Sequence, residues 1–421
     1  MGSMLNIPSR MEGPEQKTII GKPEITVSAR GIANGRSVYL NDGADFGPDT
    51  KLGATTLGQY GPPYTTTDGI QEMFDFAFNN GVIDAGTGLR KWLPMKFIER
   101  NTFNISSSII SKNDTSHVSQ ITLDATGCLV FSNGNIFAFD LSGTPQIDSQ
   151  IVFPKIYNAS GTSNTNGAIR LAQITQSNIV FQQIQNYTAT NASAITIDQT
   201  ISGLTQGFFN NLLQIKMINY AFTALNVKVL AHATSPLGFG GNSVFVNQII
   251  NGNGNQIVIN STNATAGNAG SNTFYNCIIE GLSTGNYAIL DNDGSNTYII
   301  NVVEEPINVT SNASSYSLFV MPNTSGYTNV TGKCKIISGN PQGFGITTPA
   351  LPTGTGSTNA VTNTFPFSVR VFQTGESGTH IVDNAGNDVL LPSNPNELTL
   401  EPGNKIYYAT TVATSWKWYG C

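Results

Sequence analysis

The sequence predicts an all-β chain wound into a right-handed parallel β-helix, with one capping helix at its start and a small antiparallel β-domain at its end. Three observations predict this. Short apolar runs separated by Gly, Asn, Ser and Asp fill the stretch from Ile105 to Ile346, and many short strands with regular turns mean a sandwich, a barrel or a solenoid. A helical apolar period of useful length occurs once, near residue 70. Finally, an Asn-led segment recurs from Asn178, Asn211, Asn242, Asn272 and Asn296, at steps of 33, 31, 30 and 24 residues. Those steps suit solenoid coils, whereas a propeller blade needs roughly 40 or more residues.

The composition agrees. Only 11% of the 421 residues are charged, but 39% are hydrophobic, so the chain lacks the low hydrophobicity and high net charge of disorder. The formal net charge is −6, and no basic cluster exceeds Leu89-Arg90-Lys91. Nucleic-acid binding needs a positive stripe and is not expected. No apolar stretch reaches the length of a membrane span. No signal-peptide pattern opens the chain, and Met1-Gly2-Ser3-Met4 reads as a tag remnant. Cys128, Cys277, Cys334 and Cys421 lie far apart with no CxxC or His spacing, so they read as buried thiols, with no metal site and no cofactor. Sequons at Asn104, Asn158, Asn260, Asn312 and Asn329 are expected by chance in so Asn- and Thr-rich a chain.

Taken in order, residues 1–36 are polar, with Pro8, Pro14 and Pro23 and no sustained period. They read as an extended arm that docks on a neighbouring chain or particle. The solenoid spans 37–346. Within it a helix is expected over 68–80. Asp68 stands at the N-cap with Gln71 completing a capping box. Ile70, Met73, Phe74, Ala77 and Phe78 form the apolar face, and Gly81 stops it. A first coil exposes strand edges and core side chains, and this helix is placed to cover them. In the Asn-led segments the third position is always apolar: Val180, Leu213, Val244, Phe274 and Tyr298. The eighth is apolar in four of the five. The leading Asn is expected to stack on its copies along the axis. Residues 347–363 turn to Pro, Gly, Thr and Ser, a linker by composition. Residues 364–421 then show short strands with turns at Gly375, Asn384 to Asn387 and Pro402-Gly403.

The segment Gly43 to Ile110 resembles the pectate-lyase-like superfamily found in phage tailspikes and secreted polysaccharide-degrading enzymes. The residues that carry it are Asp45-Phe46-Gly47, Thr67-Asp68-Gly69-Ile70-Gln71, Trp92-Leu93-Pro94 and Phe103-Asn104-Ile105. The insertion from Pro48 to Thr66 is longer than usual, and a Gly-Gly before the Leu-Pro strand is missing. Asn363 to Arg370, Leu400 to Gly403 and Trp416 to Trp418 are similar to small modules that end some phage β-helix proteins. The resemblance implies an extracellular or virion-associated setting, a polysaccharide or cell-surface glycan as partner, and a homotrimer, with other virion proteins met through the arm. It implies fold and setting better than chemistry, because such relatives include hydrolases, lyases and plain binders.

For chemistry, Glu280 and Glu304 occupy the same repeat position on adjacent coils. Stacked strands lie about 4.8 Å apart, near the roughly 5 Å carboxylate separation of a retaining glycosidase, and mutual repulsion would raise one pKa. Asp291 and Asp293 fall in the turn between them, and Glu305 follows. The alternatives are a set of solvated surface acids and weak cation binding. No Arg stands between Arg170 and Arg370, which disfavours lyase chemistry. His117, His232 and His380 form no recognisable triad. For sugar contact, Trp416 and Trp418 share one strand face, and Phe208-Phe209, Tyr187, Tyr220, Tyr275 and Tyr287 are candidate groove residues, with Tyr275 and Tyr287 foremost; core packing is the alternative for each. The expected function is a tailspike- or fibre-like protein that binds surface glycans and cleaves them if the carboxylates are catalytic. A secreted glycoside hydrolase or lyase and a non-enzymatic adhesive β-helix are the rivals.

Overall fold

The computed structural model describes residues 24–29, 44–98, 100–114, 116–229, 238–261, 270–275, 278–300, 305–310, 316–321, 330–332, 334–338, 344–365, 367–391 and 395–420. The described residues form a parallel β-helix with three sheets of sixteen, nine and seven strands, followed by two four-stranded antiparallel sheets. The twist of parallel strands favours right-handed winding.

Each coil contributes one inward side chain per column, and the columns are the core. On the sixteen-stranded sheet one column runs Ile25, Met95, Leu123, Ile151, Ile179, Leu213, Val244, Phe274, Tyr298, Phe319, Ile336, in register throughout. All are buried. On the nine-stranded sheet the matching column runs Ile109, Phe139, Ile169, Ile195, Leu225, Ile257, Ile289, Ile307, Val330. Full burial of such a side chain is worth about 1.5–3 kcal/mol, so each coil stabilises the next. Phe274, Tyr298 and Phe319 stack with centroids 4.9 and 4.8 Å apart, close to the strand spacing itself.

The corner before the sixteen-stranded sheet is held by a polar ladder. Asn211 Nδ2 donates to Asn242 Oδ1 at 3.1 Å, Asn242 Nδ2 to Asn272 Oδ1 at 2.9 Å, and Asn272 Nδ2 to Asn296 Oδ1 at 2.9 Å. Each of these oxygens also accepts the backbone N–H of the residue one coil before. Hydroxyls continue the ladder outward: Ser177 N–H donates to Asn211 Oδ1, Ser149 N–H to Ser177 Oγ, and Ile121 N–H to Ser149 Oγ. At the other end Asn296 N–H donates to Ser317 Oγ. The first repeat is therefore slipped by one residue from the sequence alignment. Ser177, not Asn178, takes the ladder place, and Ile179, not Val180, the core place, because Asn178 pairs with Leu212. The slip also removes the one exception at the eighth position: Ile184 aligns with Ile218, Ile249 and Ile279.

The helix spans Ile70–Asn79 and buries Ile70, Met73, Phe74, Phe76 and Ala77. Its start differs from the expected capping box. Gly69 is the N-cap, with φ 85° and no side-chain cap. Thr67 Oγ1 accepts the N–H of Gln71 at 3.1 Å. Gln71 is used elsewhere: its Oε1 accepts Ile110 N–H at 2.7 Å and its Nε2 donates to Ile110 O at 3.0 Å. Ile109–Ile110 is the outermost strand of the nine-stranded sheet, so a helix side chain satisfies a strand edge that water would otherwise meet. Glu72 is buried and accepts from Gly53 N–H, Thr65 Oγ1 and Thr67 Oγ1, tying the preceding loop to the helix.

Two expected boundaries move. Ile25–Val27, inside the expected arm of 1–36, is a strand paired with Met95–Phe97; the rest of the arm, apart from 24–29, lies outside the described residues. The expected linker 347–363 is partly built into the terminal domain, where Val361–Thr362 pairs with Lys405 and Ile406. That domain begins at Phe344–Gly345, which pairs with Tyr419 and Gly420. A parallel bridge from Ile336 to Phe367 joins it to the last coil.

Candidate functional site

The described members of the predicted acidic group stand on two different sheets. Glu280 ends the strand Ile279–Glu280 on the sixteen-stranded sheet, in register with Ile250, and is exposed. Glu304, its expected stacking partner, lies outside the described residues. Glu305 is half-buried and its Oε1 accepts Leu282 N–H at 3.2 Å.

Asp291 sits on a different sheet, the nine-stranded one, and is fully buried. Its Oδ1 accepts the N–H groups of Asp293 and Gly294 at 3.0 and 2.9 Å. Its Oδ2 accepts Asn296 Nδ2 at 3.1 Å, Tyr298 OH at 3.0 Å and Ser317 Oγ at 2.7 Å. Five donors occupy the lone pairs of this carboxylate. It closes the polar ladder where Asn gives way to Ser317, and its chemistry is structural. Asp293 is also buried, in the same turn. Both residues, named in the sequence as catalytic candidates, are buried at this corner.

The aromatic candidates divide too. Trp418 is fully buried and Trp416 half-buried. The two rings meet edge-on at 5.2 Å, and Trp416 Nε1 donates to Pro349 O at 2.8 Å. Trp418 is thus core, and Trp416 stands at the rim. Tyr187 is core, with burial raising its phenol. Tyr287 is half-buried. Tyr275 faces outward, stacked on Phe245 with centroids 4.5 Å apart and planes 9° apart.

Around Trp416 the terminal domain holds a shallow open pocket of about 320 Å³, lined by Phe372, Gln373, Thr374, Asn396, Ser415, Trp416 and Lys417. Its geometry follows from strand pairing: Phe372 lies opposite Lys417 and Thr374 opposite Ser415. Phe372 is 38% exposed and meets Tyr419 edge-on at 5.6 Å, which fixes its ring. Thr374 Oγ1 and Ser415 Oγ are 2.8 Å apart. The pocket thus joins an apolar ring to hydroxyls, an amide and an ammonium.

Two clusters escaped the sequence reading because their members are distant in sequence or alone in type. Arg170 bonds Asp140 through Nε and Nη2 and lies over the Phe137 ring at 4.8 Å; Asp140 raises its pKa further. In the terminal domain His380 Nδ1 is 2.8 Å from Asp388 Oδ1, and Tyr407 OH donates to Asp388 Oδ2 at 2.5 Å. The Tyr407 and His380 bonds hold the Asp388 carboxyl below the usual range. Cys334 is buried, which pushes its thiol up to about 12 and makes it inert. Among the described residues no group of three or more His, Cys, Asp or Glu side chains is placed to hold a metal ion, and no helix is long and apolar enough to cross a membrane.

Compared with known proteins, the chain matches no family model, no curated protein and no solved structure.

Proposed function

We propose that this protein is a tailspike- or fibre-like, virion-associated or extracellular binder of surface polysaccharide, built on the pectate-lyase-like plan that its first coils resemble. The observation that carries the reading is the pocket of the terminal domain. Sugars present flat C–H faces rimmed by hydroxyls, and they suit an exposed aromatic ring beside hydrogen-bonding side chains. Phe372 supplies the ring, and Asn396, Ser415, Thr374 and Lys417 the polar rim. The solenoid is a stiff spacer for it, since its coils are locked by continuous columns and an amide ladder. In this reading the chain acts as a homotrimer, with the arm meeting other virion proteins.

We put binding before cleavage because, of the three candidate acids among the described residues, Asp291 and Asp293 are buried and Glu280 is exposed. The test is an array of purified polysaccharides with a parallel assay for released reducing ends. Phe372→Ala and Lys417→Ala are expected to weaken retention about tenfold each, and Lys417→Ala to do so without changing the thermal midpoint, since its side chain is exposed. Retention unchanged in both variants removes the pocket from the function. Reducing-end release by the wild type that is lost in Glu280→Gln converts the binder into a hydrolase.

A further inference from the structure

The parallel coils have a second corner, at the end of the strands of the sixteen-stranded sheet, and it is a column of left-handed residues. Gln185 pairs with Asn219, Asn219 with Ile250, and Ile250 with Glu280. The residue after each turns the corner: Asn186 at φ 70°, Tyr220 at φ 52°, Asn251 at φ 56°, Gly281 at φ 70°. Asn and Gly are the residues that tolerate this conformation, because the first bonds locally and the second has no Cβ. A tyrosine does not belong in that column on structural grounds. Its ring gains little in return from packing, because Tyr220 is 47% exposed. A left-handed backbone at an exposed aromatic ring, in a column otherwise filled by Asn and Gly, motivates a functional hypothesis for that ring.

The surroundings say what use. One coil to either side stand amides, Asn186 and Asn251, at about the 4.8 Å coil spacing. Asn251 Nδ2 donates to Asn219 Oδ1 at 3.0 Å, which holds these two side chains to each other across the coils. Two coils along, next to the column, is the exposed carboxylate of Glu280. A flat, exposed ring between hydrogen-bonding amides, with a carboxylate farther along the same ridge, fits a chain of hydroxyl-rich rings and repels polyanions. The geometry points to a subsite for neutral saccharide along this corner, with Tyr220 as its stacking platform and Asn219, Asn251 and Glu280 as hydroxyl partners. It is separate from the pocket of the terminal domain, and it rests on the polysaccharide-binding reading above.

The experiment uses the full chain, the same array of neutral and uronate-containing polysaccharides, and three proteins: wild type, Tyr220→Asn and Tyr220→Phe. Asn is what the neighbouring coils carry, so Tyr220→Asn removes the ring and the strain together. It is expected to raise the thermal midpoint by about 1–3 °C while weakening retention of the neutral polysaccharides about tenfold. Tyr220→Phe keeps the ring and is expected to bind within about threefold of the wild type. Tyr220→Asn that binds as well as the wild type overturns the subsite and leaves the pocket reading intact. A midpoint that fails to rise overturns the strain on which the inference stands. A wild type that retains only uronate-containing polysaccharides overturns the neutral class, and one that retains none removes both readings.

Discussion

Asp68 shows how a single position can carry two opposite demands. It has φ 50° and precedes the helix N-cap Gly69, and its Oδ2 accepts Asn104 N–H at 2.6 Å. The bond ties the helix start to the strand Thr102–Ile105. Burial pushes the carboxyl up to about 6, against the lowering pull of that N–H. The folded value lies above the unfolded value of 3.8. Asp68 therefore lends stability at low pH that is lost as pH rises from about 4 through about 6. Asn keeps the acceptor oxygen and suits the left-handed backbone. Asp68→Asn should be neutral near pH 4 and more stable than the wild type by about 1–2 kcal/mol above pH 7, a figure lowered for partial exposure. Thermal melts across pH 4–8 check it: a constant offset between the two proteins contradicts the shift. The sequence named Asp68 as a cap because Asp followed by Gln at i+3 fits the pattern. It did not reveal that Thr67 takes the capping bond and Gln71 the strand edge, since both choices depend on a loop and a strand far along the chain.

One element higher, the repeat was legible and its register nearly so. Inward side chains on stacked coils must be apolar at fixed intervals, and that constraint writes itself into the sequence as Leu213, Val244, Phe274 and Tyr298. The slip at Asn178 arose because serine at 177 does in hydroxyl form what asparagine does in the next coils, and two asparagine-like choices stood side by side. A left-handed residue precedes the ladder positions from Ser149 to Asn296: Asp148, Gln176, Asn210, Gly241, Ser271 and Ser295 all have positive φ. No single residue type marks that corner, so composition alone hides it. Gly241 shows the crowding there, since a Cβ would sit 2.4 Å from Asn210 Oδ1. The ladder also predicts an asymmetry between buried and exposed amides. Asn242→Ala strips a partner from Asn211 N–H, Asn211 Nδ2, Asn272 Oδ1 and Phe208 O. Buried groups left unpaired cost about 1–3 kcal/mol each, so a loss of about 3 kcal/mol or more is expected. Asn247→Ala, at an exposed turn, should stay within about 0.5 kcal/mol. Denaturant melts that show equal losses would deny the ladder its role.

Along the solenoid, one outward column changes character from charged to apolar, and this bears on the proposed association. On the sixteen-stranded sheet one outward column reads Lys96, Asp124, Val152, Val180, Gln214, Phe245, Tyr275, Ile299, Val320, Ile337. The early coils carry charge, and the last five rungs are apolar. Phe245 and Ile337 are 38% and 51% exposed, and Tyr316 beside them 51%. Contiguous apolar surface rimmed by polar residues marks association. A straight column of this kind is matched most simply by its own copy around a cyclic axis. The homotrimer implied by the sequence resemblance would place these faces together, leaving the charged early coils apart. Phe245→Lys combined with Ile299→Lys should convert a trimer to monomer at micromolar concentration, with the β-sheet circular dichroism unchanged because both positions point out of the core. Light scattering with size-exclusion chromatography reads the mass of each. A wild type that runs as a monomer, or a double variant that stays trimeric, would mean that this apolar edge serves some other contact and that the trimer is not built on it.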